Sequence, residues 1–271
     1  MPELPEVETT RRGLAPVIEG KKFLGLEVRE RRLRVPVPRN LAGHVVGPPV
    51  RRLERRAKYL LFRFDEGTLL VHLGMSGSLR LARAGETLKK HDHLRFILGR
   101  KWELRFHDPR RFGLCLWIEG EPLHHPLLRD LGPEPLSPDF DAGSLRQSLK
   151  ERKAPVKQLL LDSRLVAGVG NIYASEALFR AGVRPTRPGG RLSQAECEAL
   201  VASVKEVLAL AIAAGGTSLR DYVSGSGELG AFEVDLMVYG RAGDGCRRCG
   251  GRIRMRRLGQ RSSFWCGGCQ S

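Results

Sequence analysis

The sequence has no long apolar run. The longest, Val207–Ala214, is far short of the roughly 20 residues a bilayer-spanning helix needs. No apolar h-region follows the N-terminus, whose first twenty residues are charged, so a secretory signal is not expected. Aromatic residues are scarce at 6%, and no basic amphipathic helix with exposed aromatics appears, which argues against a membrane-surface protein. Acids are also in short supply, with 30 Asp and Glu against 46 Lys and Arg, a net charge of +16. Cysteine occurs six times, too few for a disulfide scaffold in 271 residues. A cytoplasmic protein, associated with the nucleoid through its ligand, is the expectation.

The positive charge is clustered. Ten basic residues face two acids between Arg29 and Lys58, and eight arginines face Asp244 alone from Arg241 onward. Clustered guanidinium groups suit a polyanion, because their donor fork matches phosphate.

The length suffices for two domains. Residues 1–13 read as a helix, with acids in the first turn and Gly13 as its C-cap. From about Lys22 to Ile118, alternating and apolar runs such as YLLFRFDEGTLLVHL and HLRFILGRKWELRF predict an antiparallel β-sandwich, with turns at Asp65–Gly67 and Gly99–Lys101. The Pro- and acid-rich stretch 131–143 reads as a linker. Beyond it SLRQSLKE, PVKQLLLD, NIYASEALFRAG and SQAECEALVASVKEVLALAIAAGG have helical period, the last opening on a Ser193–Glu196 capping box. The Gly- and Ser-rich segment 215–232 reads as a mobile loop. The expected organisation is α+β: an N-terminal sandwich over 1–130, a linker over 131–143, a helical domain over 144–238 and a cysteine-bearing hairpin over 239–271.

Cys246-x-x-Cys249 and Cys266-x-x-Cys269, sixteen residues apart, have the spacing of a four-thiolate zinc site on a hairpin. With all four positions taken by sulfur, such a zinc ion is structural. Arg252, Arg254, Arg256, Arg257 and Arg261 lie between the ligand pairs. Cys115 and Cys197 have no partner at ligand spacing and read as buried small hydrophobes.

Other motifs leave two readings open. GVGN, ending at Asn171, is either an ordinary corner between helices or a phosphate-binding turn with Asn171 as N-cap. Met75 in HLGMSGSL, and Phe112 beside Arg110 in DPRRFG, are either packing residues at hairpin tips or wedges for a base stack. His91 and His93 in KKHDHL either touch phosphate or pair with Asp92.

Taken together, PELPEVET, RRAKYLL, HLGMSGSL, KHDH, DPRRFG, LGPEPLS, GVGNIYASEALF and QRSSFWCGGCQ occur in one order from end to end. In this the chain resembles the formamidopyrimidine-DNA glycosylases, bifunctional base-excision enzymes. Leu4 sets it apart from the endonuclease VIII branch, which usually has glycine there and prefers oxidised pyrimidines. Gly267 and Trp265 stand where proline and tyrosine are common in the family.

The resemblance implies a β-sandwich with an N-terminal helix, a helical domain with a helix–two-turns–helix, and a zinc-finger hairpin. It implies a monomer acting on double-stranded DNA that contains oxidised purines. After removal of Met1, the Pro2 amine would attack C1′ as a Schiff-base nucleophile, with Glu3 as general acid–base. Lys58 would move a proton in β-elimination, and Arg261 would grip phosphate and serve δ-elimination. Met75, Arg110 and Phe112 would fill the void left by the flipped nucleotide, with Arg110 also contacting DNA. His91, Lys153 and Asn171 would bind phosphates, and loop 215–232 would close over the base. Two other readings stand beside this one: a pyrimidine-specific glycosylase, and a zinc-ribbon DNA-binding protein with no chemistry.

Overall fold

The computed structural model describes residues 2–215 and 236–271. The segment expected to close over a flipped base therefore lies, apart from Gly215, outside the described residues. The chain forms two compact units that part between Arg129 and Asp130.

The first unit opens with helix α1, Leu4–Ile18. It passes straight through Gly13, where the sequence predicted its end, and stops at Glu19, whose N–H bonds the Ala15 carbonyl. Burial of Leu14, Ala15 and Ile18 outweighs the roughly 1 kcal/mol that a mid-helix glycine costs. Strand β1 (Gly25–Val28) and short helix α2 (Leu41–Val45) follow. Seven strands come next: β2 (Arg52–Arg56), β3 (Tyr59–Arg63), β4 (Gly67–His72), β5 (Ser78–Arg83), β6 (Asp92–Ile97), β7 (Trp102–His107) and β8 (Leu114–Glu119).

They make two four-stranded antiparallel sheets, ordered β1-β6-β7-β5 and β2-β3-β4-β8. The expected turns join β3 to β4 and β6 to β7. Phe23, Phe62, Phe96 and Phe106 are almost fully buried with Leu60, Leu69 and Val71, and α1 packs on β2, β3 and β5. The apolar runs in the sequence are strands in which most residues are buried, as in β4 and β7.

The second unit contains α3 (Ala142–Leu149), α4 (Val156–Leu160), α5 (Asn171–Arg180) and α6 (Gln194–Ala213). Asp141 caps α3 through the Ser144 N–H, so the last two residues of the expected linker are helical. Ser193 and Glu196 form the predicted capping box. Between α4 and α5 the chain makes successive turns over 161–170, pinned where Gly132 N–H bonds Ser163 and Ala167 N–H bonds Pro133. Strands β9 (Ile253–Leu258) and β10 (Arg261–Cys266) form the C-terminal hairpin. Cys115, in β8, and Cys197, in α6, are both buried, as expected.

Candidate functional site

Each unit presents its own set of side chains. In the first, Pro2 is half-buried and Glu3 is buried at the mouth of α1, where the backbone is extended. The Glu6 carboxylate accepts the Glu3 N–H at 2.8 Å, one arm of a capping box. A carboxylate at this end of a helix faces the unpaired N–H groups of the first turn, which favour negative charge.

Glu8 does something different. Its carboxylate gathers Arg11 (2.8 and 3.1 Å), Arg12 (2.8 Å) and Arg55 (3.1 Å). Burial pushes its pKa up, but hydrogen bonds from Arg11 and Arg12, with the charges of Arg11 and Arg55, outweigh this and bring it down to about 2. The acids of PELPEVE thus divide: Glu6 caps the helix and Glu8 organises arginines.

Lys58 is half-buried on the two-residue turn between β2 and β3. Its charge reaches His72 at the end of β4. Burial, then Lys58 and Arg34, push the His72 pKa down to about 4, leaving a neutral ring. The His72 Nδ1 accepts the Gly74 N–H at 3.0 Å, which fixes the start of the turn that carries Met75.

That turn and the DPRRFG turn are one assembly. Asp108, fully buried, accepts from the Ser76 hydroxyl at 3.0 Å and from the Gly113 N–H at 2.8 Å. The Ser76 hydroxyl accepts the Arg110 N–H at 3.3 Å. Gly74 has φ +66°, and a Cβ there would lie 2.5 Å from the Phe112 carbonyl carbon, so only glycine permits this approach. Arg111 also adopts a left-handed backbone, φ +57°, and Phe112 projects, 42% exposed, with the Arg110 guanidinium 4.8 Å from its ring centroid. An exposed aromatic under a cation, on a turn braced by a buried carboxylate, is more than a loose hairpin tip. Met75 is half-buried on the facing turn.

His91 is half-buried, with its ring edge-on to His93 and His107. Neither histidine of KHDH pairs with Asp92. The fully buried Asp92 carboxylate bonds His107 at 2.9 Å and lies 3.4 Å from Arg105, while His93 Nε2 contacts the Asp108 carbonyl at 2.8 Å. The Asp92 carboxylate also accepts the Lys89 N–H at 3.0 Å, where the pairing of β6 with β7 shifts register.

In the second unit, the four cysteine sulfurs lie within 4.8 Å of one another. Cys249 and Cys266 are 3.4 Å apart, Cys246 and Cys269 3.9 Å. Four thiolates about 2.3 Å from one ion stand roughly 3.8 Å apart, so the donor set fits tetrahedral zinc and leaves no open position. Beyond the sulfurs the hairpin has a small core: Val238 and Ile253, packed on Phe179 of α5. Arg254, Arg256 and Arg257 are exposed along β9, and the Arg254 guanidinium lies 3.1 Å from where a Gly267 Cβ would stand. Arg261, exposed, opens β10 just past the tip at Gly259.

Two side chains of the helix–turns–helix converge beside Arg261. The Asn171 amide donates to the Ser262 carbonyl at 3.2 Å. Lys157, almost fully buried, donates to the same carbonyl and to the Ser263 hydroxyl, both at 2.9 Å. Asn171 is therefore not the N-cap expected of it; Gly170 holds that place and Asn171 is the first helical residue, with one donor of its amide on the hairpin. Lys153 is exposed one turn before α4. Sequence reasoning missed Lys157, which in a basic stretch looks like one more solvent-facing cation. It also missed Glu176, whose buried carboxylate accepts the N–H groups of Met237, Val238 and Tyr239 at 2.8–3.0 Å and anchors the start of the hairpin module.

Three family descriptions match the chain: the formamidopyrimidine-DNA glycosylase N-terminal domain over residues 1–115, the H2TH domain of that enzyme over 131–223, and a zinc finger found in FPG and IleRS over 243–271. Curated formamidopyrimidine-DNA glycosylases of Methylococcus capsulatus and Stutzerimonas stutzeri are 53% and 52% identical to it, each match covering both chains in full. Among solved structures, the Lactococcus lactis Fpg in complex with DNA containing an abasic site superposes with a TM-score of 0.91 at 35% identity, covering both chains in full. The MutM (Fpg) protein of Thermus thermophilus superposes at 0.87 with 40% identity, over 99% of this chain and 98% of that one.

Proposed function

The chain belongs to the formamidopyrimidine-DNA glycosylase family, and on that premise we propose that it excises oxidised purines from duplex DNA and then cuts the strand, with Pro2 as nucleophile. It is a DNA glycosylase and AP lyase of base-excision repair, carries one structural zinc ion on Cys246, Cys249, Cys266 and Cys269, and acts as a monomer. Among the described residues no helix is long and apolar enough to cross a membrane. We place the enzyme in the cytoplasm, at the nucleoid.

The observation that carries the chemistry is the buried Glu3 carboxylate directly beside Pro2 at the start of α1. Once Met1 is removed, Pro2 offers a secondary α-amine. An α-amine has a pKa near 8, so roughly a tenth is unprotonated at pH 7, against below about a thousandth of a lysine. The amine forms a bond to C1′ as the glycosidic bond breaks and the base leaves with a proton. Glu3 hands a proton to the sugar ring oxygen as the amine attacks. Ring opening leaves an iminium on a nitrogen with no proton to lose, hence a lasting electron sink. That sink acidifies the C2′ proton, and its removal expels the 3′-phosphate. Lys58 serves this proton transfer, and Arg261 serves the second elimination and holds phosphate.

Extruding the nucleotide costs a few kcal/mol. Met75, Arg110 and Phe112 refill the stack; the Asp108-braced pair of turns supports that reading, since wedges must be rigid. His91, Lys153 and Asn171 take phosphates.

The test is a duplex containing 8-oxoguanine opposite cytosine, incubated with the enzyme and borohydride. The expected result is a covalent adduct that maps to Pro2. Tight binding with neither adduct nor nick would favour a DNA-binding protein without chemistry. Preferential cutting at an oxidised pyrimidine would favour the other branch.

A further inference from the structure

Arg55 lies at the end of β2, two residues before the turn Ala57–Lys58. Its side chain is only 12% exposed, unusual for an arginine in so basic a region. Two of its contacts point in different directions. Nε donates to Glu8 of α1 at 3.1 Å, and Nη1 donates to the carbonyl of Ala57 at 2.9 Å. Ala57 is buried and has φ +51°, a left-handed conformation that glycine adopts readily and alanine does not. The residue it forces into place is Lys58.

We infer that Arg55, oriented by Glu8, is a positioning residue for Lys58: it clamps the strained turn that presents the lysine and ties that turn to the helix that presents Pro2 and Glu3. The inference rests on the catalytic reading of Lys58 given above. A charged donor makes a stronger and shorter hydrogen bond than a neutral one. Glu8 is itself fixed by Arg11 and Arg12, so it holds Arg55 from a rigid base. Other ties between α1 and β2, Leu53 N–H to Glu19 at 2.8 Å and Arg11 to the Leu53 carbonyl at 3.5 Å, lie farther from the turn. Arg55 thus joins the helix directly to the turn that carries the lysine. Phosphate binding does not require this arrangement, since a phosphate-binding arginine would turn its guanidinium outward.

Two reactions separate the steps: base release from an 8-oxoguanine duplex, and strand cleavage of a preformed abasic duplex, each under single turnover. Lys58→Ala defines the signature of the lysine. Arg55→Ala is expected to slow the same step, on the order of tenfold to a hundredfold, the scale of an ångström-sized misplacement. The other step and the affinity for abasic-site DNA should stay near wild type. Because glycine accepts the left-handed turn without the clamp, Arg55→Ala combined with Ala57→Gly should recover much of the lost rate. Glu8→Gln, which preserves shape, should give a weaker version of the same signature and serves if Arg55→Ala does not fold. The proposal is overturned if Arg55→Ala and Glu8→Gln match wild type at the step Lys58→Ala slows, if they slow both steps alike, or if Ala57→Gly restores nothing. If Lys58→Ala itself leaves both steps unchanged, the role of Lys58 falls and takes the proposal with it.

Discussion

The sandwich and the C-terminal hairpin both hold cations at fixed places, by opposite means. The sandwich buries Phe23, Phe62, Phe96 and Phe106 between two sheets and hangs its functional turns on buried carboxylates, Glu8 and Asp108. The hairpin exposes four consecutive residues of β9, Arg254 to Arg257, and its apolar core is small, built on Val238, Ile253, Cys246 and Cys266 against Phe179. One region can keep its shape from hydrophobic burial; the other needs a metal and two polar struts, Lys157 and Glu176. Arginine density therefore says little about stability, and what lies beneath the arginines decides it.

The largest effect should come from the metal. Stripping zinc with a chelator, or Cys249→Ser, should unfold the hairpin and abolish binding and cleavage of abasic-site DNA. The cooperative thermal transition of the sandwich should persist, and calorimetry with zinc analysis would show both. If the hairpin kept its hydrogen-exchange protection without metal, the contrast would be broken. Next, Phe62→Ala should cost the sandwich about 3–5 kcal/mol in urea unfolding while zinc content stays at one per chain.

A smaller effect is expected at Lys157. Lys157→Met would leave the Ser262 carbonyl and Ser263 hydroxyl without that donor, a loss of about 1–3 kcal/mol. Hydrogen exchange should locate it in β10 and leave the sheets untouched. A comparable effect concerns acid. The His72 pKa is depressed in the fold to about 4 from an ordinary 6.5, so as pH falls from 6.5 toward 4 the unfolded chain takes up a proton that the folded chain refuses. Stability should decline across that window, and His72→Asn should flatten the decline. The Glu8 contribution lies lower: it is complete above 4.5 and is lost as pH falls toward about 2, so the interval 6.5–4.5 isolates His72. An unchanged slope in His72→Asn would remove the histidine from the account.

The period of the apolar residues sufficed to place the strands and helices, and the cysteine spacing sufficed for the metal site. Local pattern failed where a partner distant in sequence decides the outcome. Gly13 ends no helix because Ile18 and Leu14 have a sheet to bury against. Asn171 caps nothing because Ser262, 91 residues on, claims its amide. The Glu8–Arg55 bridge spans 47 residues, and nothing in RRAKYLL distinguishes the inward arginine from the others. Asp108 looked like part of a turn motif, yet it binds two motifs together, because its partner Ser76 lies 32 residues away in sequence.

The central claim is that the first amine of the chain does the chemistry. The most direct measurement compares the mature enzyme with a form that keeps one residue before Pro2, using borohydride trapping on an 8-oxoguanine duplex and a parallel binding assay. The account predicts that the extended form binds the duplex yet yields neither adduct nor nick, while the mature enzyme is trapped at Pro2. An extended form that is trapped and cuts as well as the mature enzyme would contradict it.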